Sequence, residues 1–194
     1  GQQRTINHGI ASLSAVLKEK GFSTELLFLD EQNITHHAQY IKDRAPLFIA
    51  ISTTYNHWGL VCTFAQQVKD MCCIPIFVGG PHTILFPESI VEHPAIDGIC
   101  IGEGEVFIVH IAECLVSGSS CDTVQGMWLR AANGTILKNK PVRLIENLDA
   151  MPFPDYDIFP EEAVKEYPAL LFSRGCPFAC AYCCNNRYRE IFKG

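Results

Sequence analysis

Leu47-Phe48-Ile49-Ala50-Ile51-Ser52 and Ile74-Pro75-Ile76-Phe77-Val78-Gly79-Gly80 decide the fold, together with the segment between them, in which Val61, Phe64, Val68 and Met71 recur at helical spacing. Neither apolar run alternates with polar residues, which predicts strands covered on both faces, as in a parallel sheet. The intervening helix is the crossover that such a pair needs. Further along, a short helix leads to a third apolar run, Ile96 to Ile101, ending at Gly102. Phe107, Ile111, Cys114 and Leu115 then form a helical face that Gly118 closes. Towards the N-terminus, Thr35 to Arg44 reads as a short helix and Thr24 to Leu29 as a strand. Ile10, Leu13, Val16 and Leu17 mark another helix, with Gly21 as its C-cap. This order predicts an α/β fold with a mainly parallel sheet and helices on both faces.

Composition narrows the function. The 194 residues suffice for one sizeable core plus a smaller piece, and an apolar content of 48% is ordinary for a globular α/β chain. A net charge of −6 with no basic stripe argues against nucleic acid as the main partner. Arg174, Arg187, Arg189 and Lys193 form a local basic group, read as a solvated face with anion binding as the alternative. No apolar run has the length of a membrane span, and no secretory signal is present. Ten cysteines are many for this length. Six of them, Cys62, Cys72, Cys73, Cys100, Cys114 and Cys121, lack ligand spacing and mostly sit in apolar segments, so they read as small buried hydrophobes. A reduced, cytoplasmic, anaerobic setting fits them better than a disulfide scaffold does.

The ends of the three apolar runs, two of them glycine-bearing, carry the binding chemistry. In a parallel sheet, ligands bind beyond the carboxyl ends of the strands. Those ends are Ser52-Thr53-Thr54-Tyr55, Gly79-Gly80-Pro81-His82 and Gly102-Glu103-Gly104-Glu105. Glycine permits close backbone approach, and small hydroxyls and open amides can grip a polar ligand. Each loop also has a plain structural reading. Gly-Gly-Pro is a turn signal, acidic residues favour a helix N-terminus, and His82 reads equally as a satisfied loop histidine. Further on, Ala131-Ala132-Asn133-Gly134 between Gly126–Arg130 and Thr135–Lys138 predicts a small hairpin appendage. Pro141 to Pro160 is rich in proline and acidic residues and reads as an extended surface linker, which Met151, Phe153, Tyr156 and Phe159 could pack onto either flanking domain.

Near the C-terminus, Cys176-Pro177-Phe178-Ala179-Cys180-Ala181-Tyr182-Cys183 sets three cysteines at C-x3-C-x2-C spacing. Three thiolates on one loop can each take one iron of a 4Fe-4S cube, which ordinarily has four such ligands. The fourth iron then keeps an open position, the feature that separates a catalytic metal centre from a structural one. Cys180 with Cys183 alone also suits a zinc site, for which Cys184 would be the fourth ligand, and C-x3-C-x3-C through Cys184 is an alternative register. Pro168 to Ser173, just before the loop, reads as a short buried strand.

This loop resembles the cluster loop of radical S-adenosylmethionine (radical SAM) enzymes. The resemblance implies that Cys176, Cys180 and Cys183 hold the cluster, that Tyr182 lies near the adenine of S-adenosylmethionine, and that Pro168 to Ser173 begins a partial (β/α) barrel. From Gly9 to about Leu115 the chain resembles the Rossmann-like, flavodoxin-like cobalamin-binding domain that precedes the barrel in one class of these enzymes, with the "VGGPH" and "GEGE" stretches as its strongest pieces. Asn147 to Pro154 is similar to that class's linker. Together these imply a cobalamin-binding domain over residues 1–140, a linker over 141–165 and the truncated start of a radical SAM domain over 166–194. They further imply cobalamin bound at Ser52, Thr53, Thr54, Gly79, Gly80, Pro81, His82, Gly102, Glu103, Gly104 and Glu105. The whole enzyme would methylate or cyclise an unactivated carbon of a small-molecule or peptide substrate, drawing on an external electron donor. The given chain, as a fragment, is expected to show no turnover. Two departures from the class stand out. Gly1 to His8 is polar where a first core strand is expected, and no D-x-H-x-x-G is present, so neither His57 nor His82 is assigned to cobalt. The other reading is a non-catalytic flavodoxin-like module binding cobalamin or a nucleotide, with a zinc-type cysteine loop.

Overall fold

A computed structural model describes residues 6–131, 133–141, 143–166 and 170–192. Along the chain the elements are α1 (His8–Glu19), α2 (Ile34–Arg44), β1 (Ile49–Ser52), α3 (Trp58–Met71), β2 (Ile76–Gly79), α4 (Pro81–Leu85), α5 (Pro87–Val91), β3 (Gly98–Cys100), α6 (Gly104–Ser117), β4 (Met127–Arg130), β5 (Ile136–Lys138), α7 (Glu161–Glu166) and α8 (Cys184–Ile191). They fall into two compact units. One comprises Gly1–Phe28 with Ile145–Pro177, the other Leu29–Leu144 with Phe178–Gly194.

The larger unit is built on a five-stranded sheet in the order β1-β2-β3-β4-β5. β1 runs parallel to β2, with Ile49 opposite Ile76 and Ser52 opposite Gly79, and β2 runs parallel to β3. The non-alternating runs explain the interior: Ile76, Val78 and Ile99 are inaccessible, and Phe64, Val68, Phe107 and Ile111 from α3 and α6 are buried with them. Each such side chain contributes about 1.5–3 kcal/mol by leaving water. Gly118 ends α6 in the left-handed region at φ +67°. Between β2 and β3 lie two short helices where the sequence predicts one. Pro87 causes the break: it cannot donate to the preceding turn, and it holds Phe86 at φ −138°, ψ 53°, outside the helical region.

Three expectations about strands are corrected. β1 is not covered on both faces. It is the terminal strand of the sheet, and Ile49 to Ser52 alternate between half-buried and exposed. Thr24 to Leu29 forms no strand, and neither does Leu170 to Ser173, where Leu170, Leu171 and Phe172 are 65%, 59% and 86% exposed. An extended segment becomes a strand only through a ladder with a neighbour, and none is assigned to either segment. Pro168 and Ala169, the first residues of that second expected strand, lie outside the described residues, as do Ala132, Lys193 and the polar stretch Gly1 to Thr5. The hairpin forms where Asn133-Gly134 predicts it, with Gly134 at φ +83°. It is part of the main sheet, because β4 pairs antiparallel with β3. The scattered cysteines also differ from expectation: only Cys100 of the six is buried, and all ten are free thiols.

In the smaller unit, Asn7 caps α1 by accepting from the Ile10 amide at 3.1 Å. Gly21, at φ +84°, closes the helix, with its amide on Lys18 and that of Phe22 on Leu17. Asp155 from the Pro-rich stretch is held against this helix. Its amide donates to the Ala11 carbonyl at 3.0 Å, its carboxylate pairs with Lys18 at 2.7 Å, and it accepts from the Ser14 hydroxyl. Burial alone would raise the Asp155 pKa, but Lys18 and Ser14 outweigh it and hold the carboxyl below its ordinary value. A depressed folded-state pKa stabilises the fold above the unfolded pKa of about 4 and loses that contribution as pH falls through the folded value. Asp155→Asn should therefore cost about 1–2 kcal/mol at neutral pH and less in acid. Urea unfolding at neutral pH and below about pH 3 checks both parts.

Candidate cofactor-binding site

The carboxyl ends of β1 and β2 lie side by side, and their loops are joined through the backbone. The Thr53 amide donates to the Gly79 carbonyl at 3.0 Å, and the His82 amide donates to the Thr53 carbonyl at 3.3 Å. Gly80 sits at φ +95°, ψ −174°, a region open essentially to glycine alone. A Cβ there would stand 3.0 Å from the Thr53 carbonyl oxygen and the Ser52 hydroxyl and 3.1 Å from the Thr53 nitrogen. Thr53 is buried with its hydroxyl on the Thr54 carbonyl, while the Thr54 hydroxyl meets His57 Nδ1 at 3.1 Å. Ser52, Thr54 and Pro81 are exposed, and Gly79 and Gly80 are half-buried.

The third loop is tied to these two by a residue absent from the sequence-level assignment. Thr83, fully buried, holds its hydroxyl 2.9 Å from the Gly80 carbonyl and 2.8 Å from that of Cys100 in β3. Gly102 follows at φ +114°, Glu103 precedes the first residue of α6, Gly104, and Glu105 is buried in its first turn. The Cys100 thiol is pushed up to about 12 by burial and then by the Glu105 carboxylate, which leaves it protonated and inert. Gly102 also meets α8. The Tyr188 hydroxyl donates to its carbonyl at 2.7 Å, and the Phe192 ring, stacked on Tyr188, stands 3.0 Å from where a Gly102 Cβ would be.

His82 is only 2% exposed. Neither ring nitrogen has a hydrogen-bond partner among the described residues. Its ring lies 5.4 Å from Trp58, 5.5 Å from Phe86 and 5.8 Å from Tyr55. Burial lowers its pKa, so the imidazole is neutral at physiological pH.

The cysteine loop precedes α8. Cys183 occupies the position before that helix, and its amide donates to the Cys180 carbonyl at 3.1 Å. Cys180 is exposed, and Cys176, Cys183 and Cys184 are half-buried. Tyr182 is 93% exposed. Burial, and then the adjacent Cys183, raise the Cys184 pKa, which makes it a poorer thiolate. Cys176 belongs to the smaller unit and the other three to the larger. Among the described residues, no three histidine, cysteine or acidic side chains are gathered as metal ligands.

Residues 2–112 match the family model described as B12 binding domain, over half of the chain. The chain belongs to the B12-binding domain family. The chain is 29% identical over 188 residues to an uncharacterised methyltransferase of Pyrococcus horikoshii, covering 90% of the chain and 39% of that relative. It is 27% identical over 191 residues to an anaerobic magnesium-protoporphyrin IX monomethyl ester cyclase of Rubrivivax gelatinosus, covering 90% of the chain and 34% of the cyclase. The chain thus spans less than half the length of the curated relatives it matches. Among solved structures it is similar to the radical S-adenosylmethionine methyltransferase TsrM of Kitasatospora setae, determined with cobalamin and a 4Fe-4S cluster bound. That likeness has a TM-score of 0.65 at 18% identity, covers 80% of this chain and 30% of TsrM, and shows the α/β fold. No helix among the described residues is long and apolar enough to cross a membrane.

Proposed function

We propose that this chain holds cobalamin at the joined strand-end loops and is a fragment of a cobalamin-dependent radical SAM enzyme that methylates or cyclises an unactivated carbon. The observation that carries the reading is the match of residues 2–112 to the B12-binding family, in a fold where the Gly80 backbone packs against Ser52 and Thr53 and joins two strand-end loops into one rim. Joined loops that present backbone groups and small hydroxyls together are what a bulky, polar-edged cofactor needs. Ser52, Thr54 and the exposed faces of Gly79, Gly80 and Pro81 would meet the ligand directly, and Thr53 and Thr83 would hold the loops in register. Gly102 to Glu105 would form the far side of the site.

The cysteine loop fits an iron–sulfur cluster in its donor set: Cys176, Cys180 and Cys183 are free thiols, none of the three fully buried. When bound, the cluster with S-adenosylmethionine supplies a 5′-deoxyadenosyl radical, and cobalamin supplies methyl transfer or control of the carbon radical. Tyr182 would lie near the adenine. An external electron donor and a small-molecule or peptide substrate complete the scheme.

The test is retention of hydroxocobalamin by the anaerobically purified chain through gel filtration. A visible corrinoid spectrum on the protein peak at near one-to-one is expected. No retention by a chain that is folded by circular dichroism would overturn the reading.

A further inference from the structure

α8 is short and weakly held, yet it carries a bond to one loop of the proposed site. It has eight residues, none of them buried. A helix of that length is marginal without outside support. Towards α4, its Arg187 and Ile191 border a cavity of about 260 Å³ with Thr83 and Ile84, so close packing does not fix the helix there. Its supports lie towards its ends. At the start, the Cys183 amide donates to the Cys180 carbonyl at 3.1 Å, and the Cys183 carbonyl accepts from the Asn186 amide at 3.1 Å. Further along, the Tyr188 hydroxyl donates to the Gly102 carbonyl at 2.7 Å. The Phe192 ring, 5.7 Å from that of Tyr188 and inclined to it by 24°, lies against Gly102. Gly102 stands at φ +114° between β3 and α6 and belongs to neither. A second donor near its carbonyl is the Cys100 thiol at 4.0 Å, which is a weak one. Tyr188 is therefore a strong tie from outside on the third strand-end loop, and the helix that carries it begins at the cysteine loop.

We infer that Tyr188 is a positioning residue that links the cysteine loop to the proposed cobalamin rim: metal held by Cys180 and Cys183 orders α8, and Tyr188 then fixes the Gly102 to Glu105 loop. This rests on the cluster and cobalamin readings. A metal on Cys180 and Cys183 closes the same turn that the Cys183 amide closes, and so favours the helix that starts there. Such coupling is reciprocal: what metal loading adds to the hold on the loop, a ligand on the loop adds to the hold on the metal.

The test compares the chain with Tyr188→Phe, which keeps the ring stacked on Phe192 and removes only the hydroxyl. Amide hydrogen exchange at Gly102 to Glu105 is measured without any corrinoid, before and after anaerobic reconstitution with iron and sulfide. In the wild-type chain, iron loading is expected to slow exchange there by about fivefold. In Tyr188→Phe the same iron content should leave it unchanged. Equal slowing in both chains, or none in the wild-type chain, would overturn the link. So would exchange that is faster throughout in Tyr188→Phe but still responds to iron, since that is the mark of a bond with a purely structural role. Hydroxocobalamin affinity gives the second readout: about fivefold tighter for the iron-loaded wild-type chain, with the difference lost in Tyr188→Phe. Cobalamin retained with the same affinity in all four states overturns this role alone and leaves the cofactor reading standing. A wild-type chain that retains no cobalamin overturns that reading, and one that takes up no iron overturns the cluster reading; either result removes this role with it.

Discussion

Gly80→Ala is expected to abolish cobalamin retention and to lower the stability of the larger unit by about 2–4 kcal/mol. Two costs combine. The conformation at φ +95°, ψ −174° lies in a region that residues with a Cβ essentially do not occupy, worth about 1–3 kcal/mol. The added carbon also meets backbone, not a flexible side-chain end: the Thr53 oxygen at 3.0 Å and nitrogen at 3.1 Å. Relief requires the β1 loop to retreat, and that loop is anchored by the Thr53 amide on Gly79 and the His82 amide on Thr53. The substitution thus separates the two loops that are proposed to share the ligand. Gly118→Ala is the matched control. Gly118 also has a positive φ, +67°, but a Cβ there has nothing within 4 Å, so only local strain of about 1 kcal/mol is expected, with retention intact. Denaturant unfolding and gel filtration with hydroxocobalamin read both effects on each variant.

The second large effect concerns the cysteine loop. Serine at Cys176, Cys180 or Cys183 is expected to remove iron and sulfide from the anaerobically reconstituted chain and to bleach its brown colour, because each of these thiolates would hold one iron of the cube. Cys62→Ser and Cys114→Ser should leave colour and iron content unchanged. Cys184→Ser distinguishes the registers: unchanged iron assigns the third ligand to Cys183, and lost iron assigns it to Cys184. A colourless wild-type chain containing zinc, which has a filled d shell, would contradict the cluster assignment and favour the zinc-type loop.

The parts of the fold that depend on local pattern were legible in the sequence. Val61, Phe64 and Val68 announce α3, Gly21 and Gly118 mark two helix ends, and the non-alternating Ile76 to Val78 announces a strand covered on both faces. What failed depends on neighbours. Leu47 to Ser52 has the same apolar character as β2, yet β1 is the sheet's terminal strand. Composition reports what a residue tolerates, not which strands stand beside it. Thr24 to Leu29 and Leu170 to Phe172 have strand-like composition without a ladder, for the same reason.

The site divides in the same way. The glycines that follow β2 and β3 flagged two of the rim loops, because positive φ and close approach leave a mark on residue choice. The surroundings of His82 left none. Tyr55 and Trp58 lie where the chain enters α3 and Phe86 lies between α4 and α5, and each reads as an ordinary apolar residue. The Tyr188 bond to Gly102 spans 86 residues, and nothing local to either residue signals it.

The most direct measurement of the central claim is amide hydrogen exchange of the chain with and without hydroxocobalamin. Slowed exchange is predicted at Ser52 to Tyr55, Gly80 to Thr83 and Gly102 to Glu105, with the β4–β5 hairpin unchanged, since ligand contact and loop closure stabilise only the strand-end segments. Retained cobalamin with unchanged exchange in those three loops, or with protection confined to the hairpin, would contradict the account.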